Sequence, residues 1–243
     1  MGSPWIDYCE QANPGVLAEV RRLRSVFSSA RRVQVSMVSG AEKRALVWMA
    51  ERTPAWINSD HLTALGLAGQ IMAGACYALA VGNKYYLLAA IACLALNWLG
   101  DSLDGTLARF RQQQRPRYGF YVDHMLDSFG AAALMGGLAL SGYMNLWIAA
   151  GLLAAFLMLS IQSYLGTYTL AEFHLSYWHF GPTEIRILLA AGSLALLRWP
   201  MVLSGQFRLF DVAGGIALAG MALMLVCFTL KNARQLYREE RIR

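Results

Sequence analysis

The chain has 243 residues, of which 57% are hydrophobic and only 15% are charged, and its mean hydropathy is +0.39. A typical soluble domain carries about 25% charged residues, so this composition excludes an ordinary soluble enzyme and favours membrane-spanning helices. The net charge of +6 could indicate a nucleic-acid partner, but no binding motif for one is present and the basic residues follow the apolar segments. We therefore expect no nucleic acid.

The N-terminal region, residues 1–57, is the most polar part of the chain and is expected to be cytoplasmic. Residues 41–52 predict an amphipathic juxtamembrane helix, with Leu46 among its apolar residues and Arg52 among its basic ones. Such a helix either lies in the lipid headgroup plane or packs on the ends of the membrane helices, and the sequence leaves both open. Pro54 ends it, and Asn58 begins a stretch that can cap the next helix.

Six apolar segments follow, each about long enough to cross a bilayer as a helix. They are residues 61–82, 86–108, 119–142, 145–166, 183–203 and 209–230. The predicted fold is therefore an all-α integral membrane protein, with a six-helix membrane domain over 58–232 and a basic cytoplasmic tail over 233–243. Within the first segment Gly66, Gly69 and Ala73 share one face, a stripe of small residues suited to close helix packing.

The distribution of basic residues predicts the orientation of these segments. With both termini on the same side, 18 of the 21 Lys and Arg residues lie on that side, which leaves only Lys84, Arg198 and Arg208 on the other. Cytoplasmic loops carry this excess of positive charge. We therefore expect a multi-pass protein of a bacterial-type inner membrane with both termini in the cytoplasm.

Four aspartates interrupt the second and third segments at helical spacing. One face of the second segment carries Asp101, Asp104, Gly105 and Ala108, and one face of the third carries Gly119, Asp123 and Asp127. The two segments are antiparallel neighbours joined by a short loop, so all four carboxylates are expected near the cytoplasmic ends of the two helices.

Burying four carboxylates together is unfavourable unless protons or cations compensate their charge. Carboxylate oxygens suit hard divalent ions, and four of them could hold two such ions around a reacting phosphoryl group. The small residues on the same faces leave room for a bulky ligand. Arg109 and the loop arginines, Arg115 among them, supply positive charge for phosphates.

This pattern resembles the signature of the CDP-alcohol phosphotransferase (CDP-alcohol phosphatidyltransferase) family, D-x2-D-G-x2-A-R, a spacer, then G-x3-D-x3-D. Here it stands as Asp101-Ser-Leu-Asp104-Gly105-Thr-Leu-Ala108-Arg109, nine residues, and Gly119-Phe-Tyr-Val-Asp123-His-Met-Leu-Asp127. Every fixed position matches, while the spacer is at the long end for the family. The resemblance implies metal-dependent transfer of a substituted phosphate from a CDP-linked donor to an alcohol, with release of CMP.

The resemblance also implies roles for single residues. Asp101, Asp104 and Asp123 would bind metal, and Asp127 would contact the second metal and act as base on the attacking hydroxyl. Gly105 and Ala108 would leave room for cytidine, and Arg109 would pair with the phosphates. Asn58 and Thr63 are further candidates for the nucleotide pocket. The ions would be two Mg²⁺ or Mn²⁺, which Ca²⁺ could replace in a crystal, and family members are often homodimers.

The start of the fifth segment carries Glu184 and Arg186, two charges at membrane depth that are candidates for contacts with the acceptor. The surrounding Gly-Pro-Thr-Glu stretch is similar to one in the eukaryotic aminoalcohol phosphotransferases of the same superfamily. Helix capping and an internal ion pair explain these two charges nearly as well.

The leading hypothesis is an enzyme of phospholipid biosynthesis that uses CDP-diacylglycerol, an acceptor alcohol and membrane lipid. Within the same family, transfer from a CDP-aminoalcohol to diacylglycerol is the alternative. Two other classes stay open: a divalent cation transporter, because carboxylates inside a membrane also mark ion pathways, and a non-catalytic membrane scaffold.

Overall fold

The computed structural model describes residues 31–33, 39–170, 172–174 and 182–240. Most of the predicted N-terminal region before residue 39, and the end of the basic tail, lie outside the described residues. Over the described part the chain is almost entirely helical. Its helices are α1 (Ser39–Arg52), α2 (Ser59–Leu79), α3 (Tyr86–Phe110), α4 (Pro116–Leu140), α5 (Leu146–Leu170), α6 (Pro182–Arg198) and α7 (Leu209–Glu239).

Four of the described helices, α2, α3, α5 and α7, are long and apolar enough to cross a membrane. The all-helical fold, with four helices that could span a membrane, is thus confirmed, whereas the count of six spans and the amphipathic character of the N-terminal helix stay predictions. The remaining two candidates fall short for visible reasons: α6 has only 17 residues, and α4 carries Arg117, Asp123 and Asp127 within its 25 residues.

Local sequence signals account for where these helices begin. Asn58 caps α2 as expected: its side-chain oxygen accepts a hydrogen bond from the backbone N–H of His61 at 3.0 Å. Pro116 occupies the first turn of α4, where its missing N–H leaves no helical hydrogen bond unmade. Residues 111–115 alone separate α3 from α4.

Short strands complete the described structure. Arg31–Val33 (β1) pairs in parallel with Glu172–His174 (β2). Met201–Val202 (β3) and Phe207–Arg208 (β4) form an antiparallel hairpin between α6 and α7. The sequence predicts a helical segment as far as residue 203, but α6 ends at Arg198 because Pro200 cannot continue it.

Glycines bring α2 into backbone contact with both helices that carry the aspartates. A Cβ added to Gly69 would lie 2.7 Å from the backbone nitrogen of Asn97 in α3, and one added to Gly74 would collide with the backbone of Ala133 in α4. Gly66 and Ala73 are buried on the same face. The small-residue stripe predicted from the sequence therefore serves close packing, and it makes α2 the common support of α3 and α4.

Two buried apolar clusters hold the helices together. The larger cluster has residues from each of the helices α2 through α7. It includes Ala73, Tyr77, Leu87, Leu94, Leu134, Leu138, Leu152, Leu196 and Phe210. Inside it the hydroxyls of Tyr77 and Ser193 are hydrogen-bonded at 2.6 Å, which links α2 to α6. The smaller cluster lies under α1.

The smaller cluster packs Leu46 and Ala50 of α1 against Leu62, Leu103 and Leu107. Of the two placements that the sequence left open for this helix, the structure has it packed on the ends of α2 and α3. Arg111, just after α3, fastens the connection between α1 and α2, because its guanidinium donates to the carbonyl oxygens of Thr53, Pro54 and Ile57.

Candidate active site

The four aspartates of α3 and α4 line one cleft between α2, α3 and α4. This inner cleft has a volume of about 270 Å³ and also contains Thr63, Gln70 and Asn97. Asp127 lies within electrostatic range of the other three carboxylates and of the Arg186 guanidinium. The faces predicted from helical spacing therefore point toward each other, and their charges interact.

Asp104 is the most buried of the four predicted ligands and is held by α2. Asp104 is only 7% exposed. Its Oδ2 accepts a hydrogen bond of 2.7 Å from the Thr63 hydroxyl. Its Oδ1 accepts from the backbone N–H of Gly105 at 2.5 Å. Thr63, a candidate for the nucleotide pocket, thus contacts a predicted metal ligand directly.

Asp101 is paired with Arg186, which reaches it from α6. The guanidinium donates to Asp101 Oδ2 at 2.6 Å through Nη2 and to Asn97 Oδ1 at 2.7 Å through Nε. The Arg186 side chain is only 13% exposed, so this ion pair is largely shielded from solvent. Of the three explanations that the sequence left open for Arg186, the structure contains the internal ion pair, and the contact with the acceptor stays a prediction.

Asn97 is a site residue that the sequence reasoning missed. It is 3% exposed, and its Nδ2 donates to the carbonyl oxygen of Gly66 at 2.8 Å. It lies one turn before Asp101, as a lone amide inside an apolar run. That spacing was the available signal, because a buried amide on the same helical face as a functional aspartate needs partners there.

A second, outer cleft of about 410 Å³ opens beside the first and shares Thr63, Asp104 and Asp123 with it. Three predicted substrate residues without bulky side chains line it, namely Gly105, Ala108 and Gly119. Arg115 lies at the rim, where it forms an ion pair with Asp60 and places its guanidinium 4.2 Å from the centre of the Tyr118 ring. Both partners of the pair are about half exposed.

Three other predicted residues, Arg109, Asn58 and Glu184, are not among those that line the two described clefts. Arg109 donates to the hydroxyl of Thr106 at 3.1 Å and is exposed beside Gly105. The Asn58 side chain is used by the cap of α2. Glu184 lines neither of these clefts.

The inner cleft has the donor chemistry for hard divalent cations, since four carboxylates and a threonine hydroxyl face one space. Among the described residues, however, no group of three or more Asp, Glu, His and Cys side chains is arranged closely enough to hold a metal ion as the side chains stand. Arg186 contacts only one oxygen of Asp101. Both oxygens of Asp104 accept a hydrogen bond, but a carboxylate oxygen has a second lone pair, so the residues fit such ions chemically.

A comparison with known protein families identifies the family of this chain. The model of the CDP-alcohol phosphatidyltransferase family matches residues 56–230, which is more than half of the chain and includes every aspartate of the inner cleft. The match begins after α1 and therefore excludes that helix. Among curated proteins, none matches the chain. Together with the four apolar helices, the family model indicates a membrane protein, and the chain belongs to the CDP-alcohol phosphatidyltransferase family of phospholipid-synthesising transferases.

Proposed function

We propose that the protein transfers a phosphatidyl group from CDP-diacylglycerol to the hydroxyl of a polar alcohol and releases CMP. The observation that carries this proposal is the convergence of Asp101, Asp104, Asp123 and Asp127 on one cleft, next to a second cleft lined by small residues. The two spaces match the two parts of a CDP-linked donor, because one suits cations and phosphates and the other suits a nucleoside.

In this proposal the four aspartates hold two divalent cations, Mg²⁺ or Mn²⁺. When bound, the cations polarise the diphosphate and neutralise the charge that develops on the departing CMP. Gly105, Ala108 and Gly119 leave space for cytidine, and Arg115 contributes positive charge at the rim.

The residues of the chain then divide the remaining work. Thr63 fixes Asp104, and Arg186 fixes Asp101. Asp127 accepts the proton of the acceptor hydroxyl on a carboxylate oxygen. The acceptor oxygen forms a bond to the phosphorus of the phosphatidyl group as the bond from that phosphorus to the CMP oxygen breaks.

We further propose six membrane spans, with α4 and α6 completing the four most apolar helices, and a functional homodimer. A helix of 17 residues is about 26 Å long, close to the thickness of a bilayer's hydrocarbon core, so the length of α6 supports this count. The surplus of basic residues on one side supports cytoplasmic termini and a cytoplasmic active site.

The direct test is CMP release by the purified protein in detergent, with Mg²⁺, CDP-diacylglycerol and a panel of polar alcohols. We expect CMP with at least one alcohol, none after EDTA, and at most about 1% of the rate in Asp127→Asn, since a missing general base costs about 10²- to 10⁴-fold. An Asp127→Asn variant that works at full rate removes the base assignment.

The same preparation separates the other hypotheses. CMP formed only from a CDP-aminoalcohol and diacylglycerol would reverse the roles of lipid and alcohol. Metal flux into liposomes without CMP release would favour a cation transporter. A protein that bound neither Mn²⁺ nor CDP would favour the hypothesis of a non-catalytic scaffold.

A further inference from the structure

One carboxylate oxygen joins the accessory helix α1 to two helices of the site. Oε1 of Glu42 accepts a hydrogen bond from the indole N–H of Trp98 in α3 at 2.7 Å. The same oxygen accepts from the hydroxyl of Thr183 in α6 at 2.9 Å. Glu42 therefore bridges α3 and α6, although α1 lies outside the region that matches the family model.

A second polar bridge joins the same two helices nearby. There Arg186 of α6 contacts Asn97 and Asp101 of α3. Asp101 follows Trp98 by three residues, and Arg186 follows Thr183 by three residues, so on each helix the two bridges lie within one turn of each other. The Glu42 bridge therefore bears directly on the distance between Arg186 and Asp101.

Glu42 is itself held in place by the packing of α1. Leu46 and Ala50, one and two turns further along that helix, are buried against Leu62, Leu103 and Leu107. The carboxylate thus projects from a helix fastened to α3, and it contacts the first turn of α6. If the carboxylate is removed, the indole N–H and the Thr183 hydroxyl lose their common acceptor at a part-buried position.

We propose that Glu42 is a positioning residue for the metal site. It holds the first turn of α6 against α3, so that Arg186 binds Asp101 by one oxygen and leaves the other for a cation. The inference rests on the proposed function, because the cation concerned is the one assigned to Asp101. It gives α1 a role in the chemistry of a site to which it contributes no ligand.

The test measures metal binding and turnover separately in the full-length protein. Mn²⁺ binding is titrated by electron paramagnetic resonance, and kcat and KM are measured from CMP release. We expect Glu42→Ala to weaken Mn²⁺ binding about 10-fold and to lower kcat about 10-fold, the usual scale for a residue that orients a metal ligand, with KM for the donor changed less than about twofold. Glu42→Gln retains a carbonyl acceptor and should restore most of this loss.

A double-mutant cycle separates positioning from a merely structural role. If Glu42 acts through Arg186, Glu42→Ala should weaken Mn²⁺ binding less than about twofold further in an Arg186→Gln background, whereas independent effects would multiply. Glu51→Ala is the matched control, because Glu51 is a half-exposed residue of the same helix whose ion-pair partner is Arg52 at 3.6 Å. Thermal unfolding of each variant in detergent shows whether it has folded.

The outcomes decide the inference independently of the proposed reaction. Unchanged or tighter Mn²⁺ binding in folded Glu42→Ala, or effects that multiply with Arg186→Gln, would overturn it while leaving the transferase proposal intact. A wild-type protein that binds Mn²⁺ but forms no CMP would refute the transferase proposal, and the Mn²⁺ titrations would still test Glu42. If the wild type binds no Mn²⁺, both proposals fail.

Discussion

The inner and outer clefts share three lining residues but are built in different ways. In the inner cleft Asp101 and Asp104 are partnered by side chains from other helices, Arg186 and Thr63, and the contacts are largely buried. The outer cleft contains Gly105, Ala108 and Gly119 in its lining and an exposed ion pair between Arg115 and Asp60. Under the proposed function, this difference predicts that chemistry depends on fixed side chains, whereas donor binding depends on open space and screened charge.

The largest effect is expected from a change to the buried ligand of the inner cleft. Asp104→Asn keeps the shape of the side chain but removes its charge, and we expect CMP release to fall about 10³-fold, a loss of about 4 kcal/mol of transition-state stabilisation. The same change at the exposed Asp60 is the control and should alter the rate less than about threefold. Equal losses at the two positions would erase the distinction between the clefts.

A change to Thr63, which binds Asp104, should have a smaller effect. Thr63→Val deletes the hydroxyl that binds Asp104, and we expect kcat to fall about 30-fold, within the range for groups that orient a metal ligand. Thr169→Val is a matched control. The Thr63 hydroxyl also lies 3.0 Å from the carbonyl oxygen of Ser59, four residues earlier, and the Thr169 hydroxyl has the same kind of contact with Leu165 but is exposed. Steady-state kinetics would contradict this expectation if Thr63→Val raised only KM.

The space of the outer cleft can be filled without disturbing the fold. A Cβ at Gly119 meets no atom within 4 Å, so Gly119→Leu should fold normally and raise KM for the CDP-linked donor about 10-fold, about 1.4 kcal/mol, with kcat kept within threefold. Gly136→Leu, on the same helix with equally open space, should leave both constants near the wild-type values. A fall in kcat alone would mean that Gly119 borders the reacting groups.

The smallest effect is expected from a change to Arg115 at the rim of the outer cleft. Arg115→Gln should raise KM for the donor about threefold, because an exposed charge contributes up to about 1 kcal/mol. Salt should weaken donor binding to the wild type more than to the variant, since exposed charges are screened. A salt response that is identical in both proteins would exclude Arg115 from donor attraction.

The sequence predicted the parts of this structure that depend on one helix at a time. The aspartate faces, the Asn58 cap and the stripe of Gly66, Gly69 and Ala73 all follow from local spacing, and each agrees with the helices. The sequence also predicted that Arg109 supplies positive charge for phosphates. In the structure its guanidinium contacts Thr106 of its own helix. A helical face fixes which residues point the same way but not what a long side chain contacts.

The remainder depends on contacts between distant segments. Arg186 reaches Asp101 across 85 residues, and Glu42 reaches Thr183 across 141. No periodicity within one helix encodes such pairs, because they arise from how α1, α3 and α6 pack. The sequence could nominate Arg186 as a charge that needs a partner at membrane depth, but the identity of that partner required the fold.

The backbone contact of α2 with α3 and α4 has a consequence for how the protein can be studied. In lipid, water is not available to drive helices together, so the close approach at Gly69 and Gly74 is stabilised mainly by dispersion between the helices. The alkyl chains of a mild detergent offer the helices the same kind of apolar contact as lipid tails, so the exchange changes this balance little. The support of the aspartates should therefore survive exchange of the bilayer for a mild detergent, and metal titrations in micelles should report on the same site as measurements in membranes.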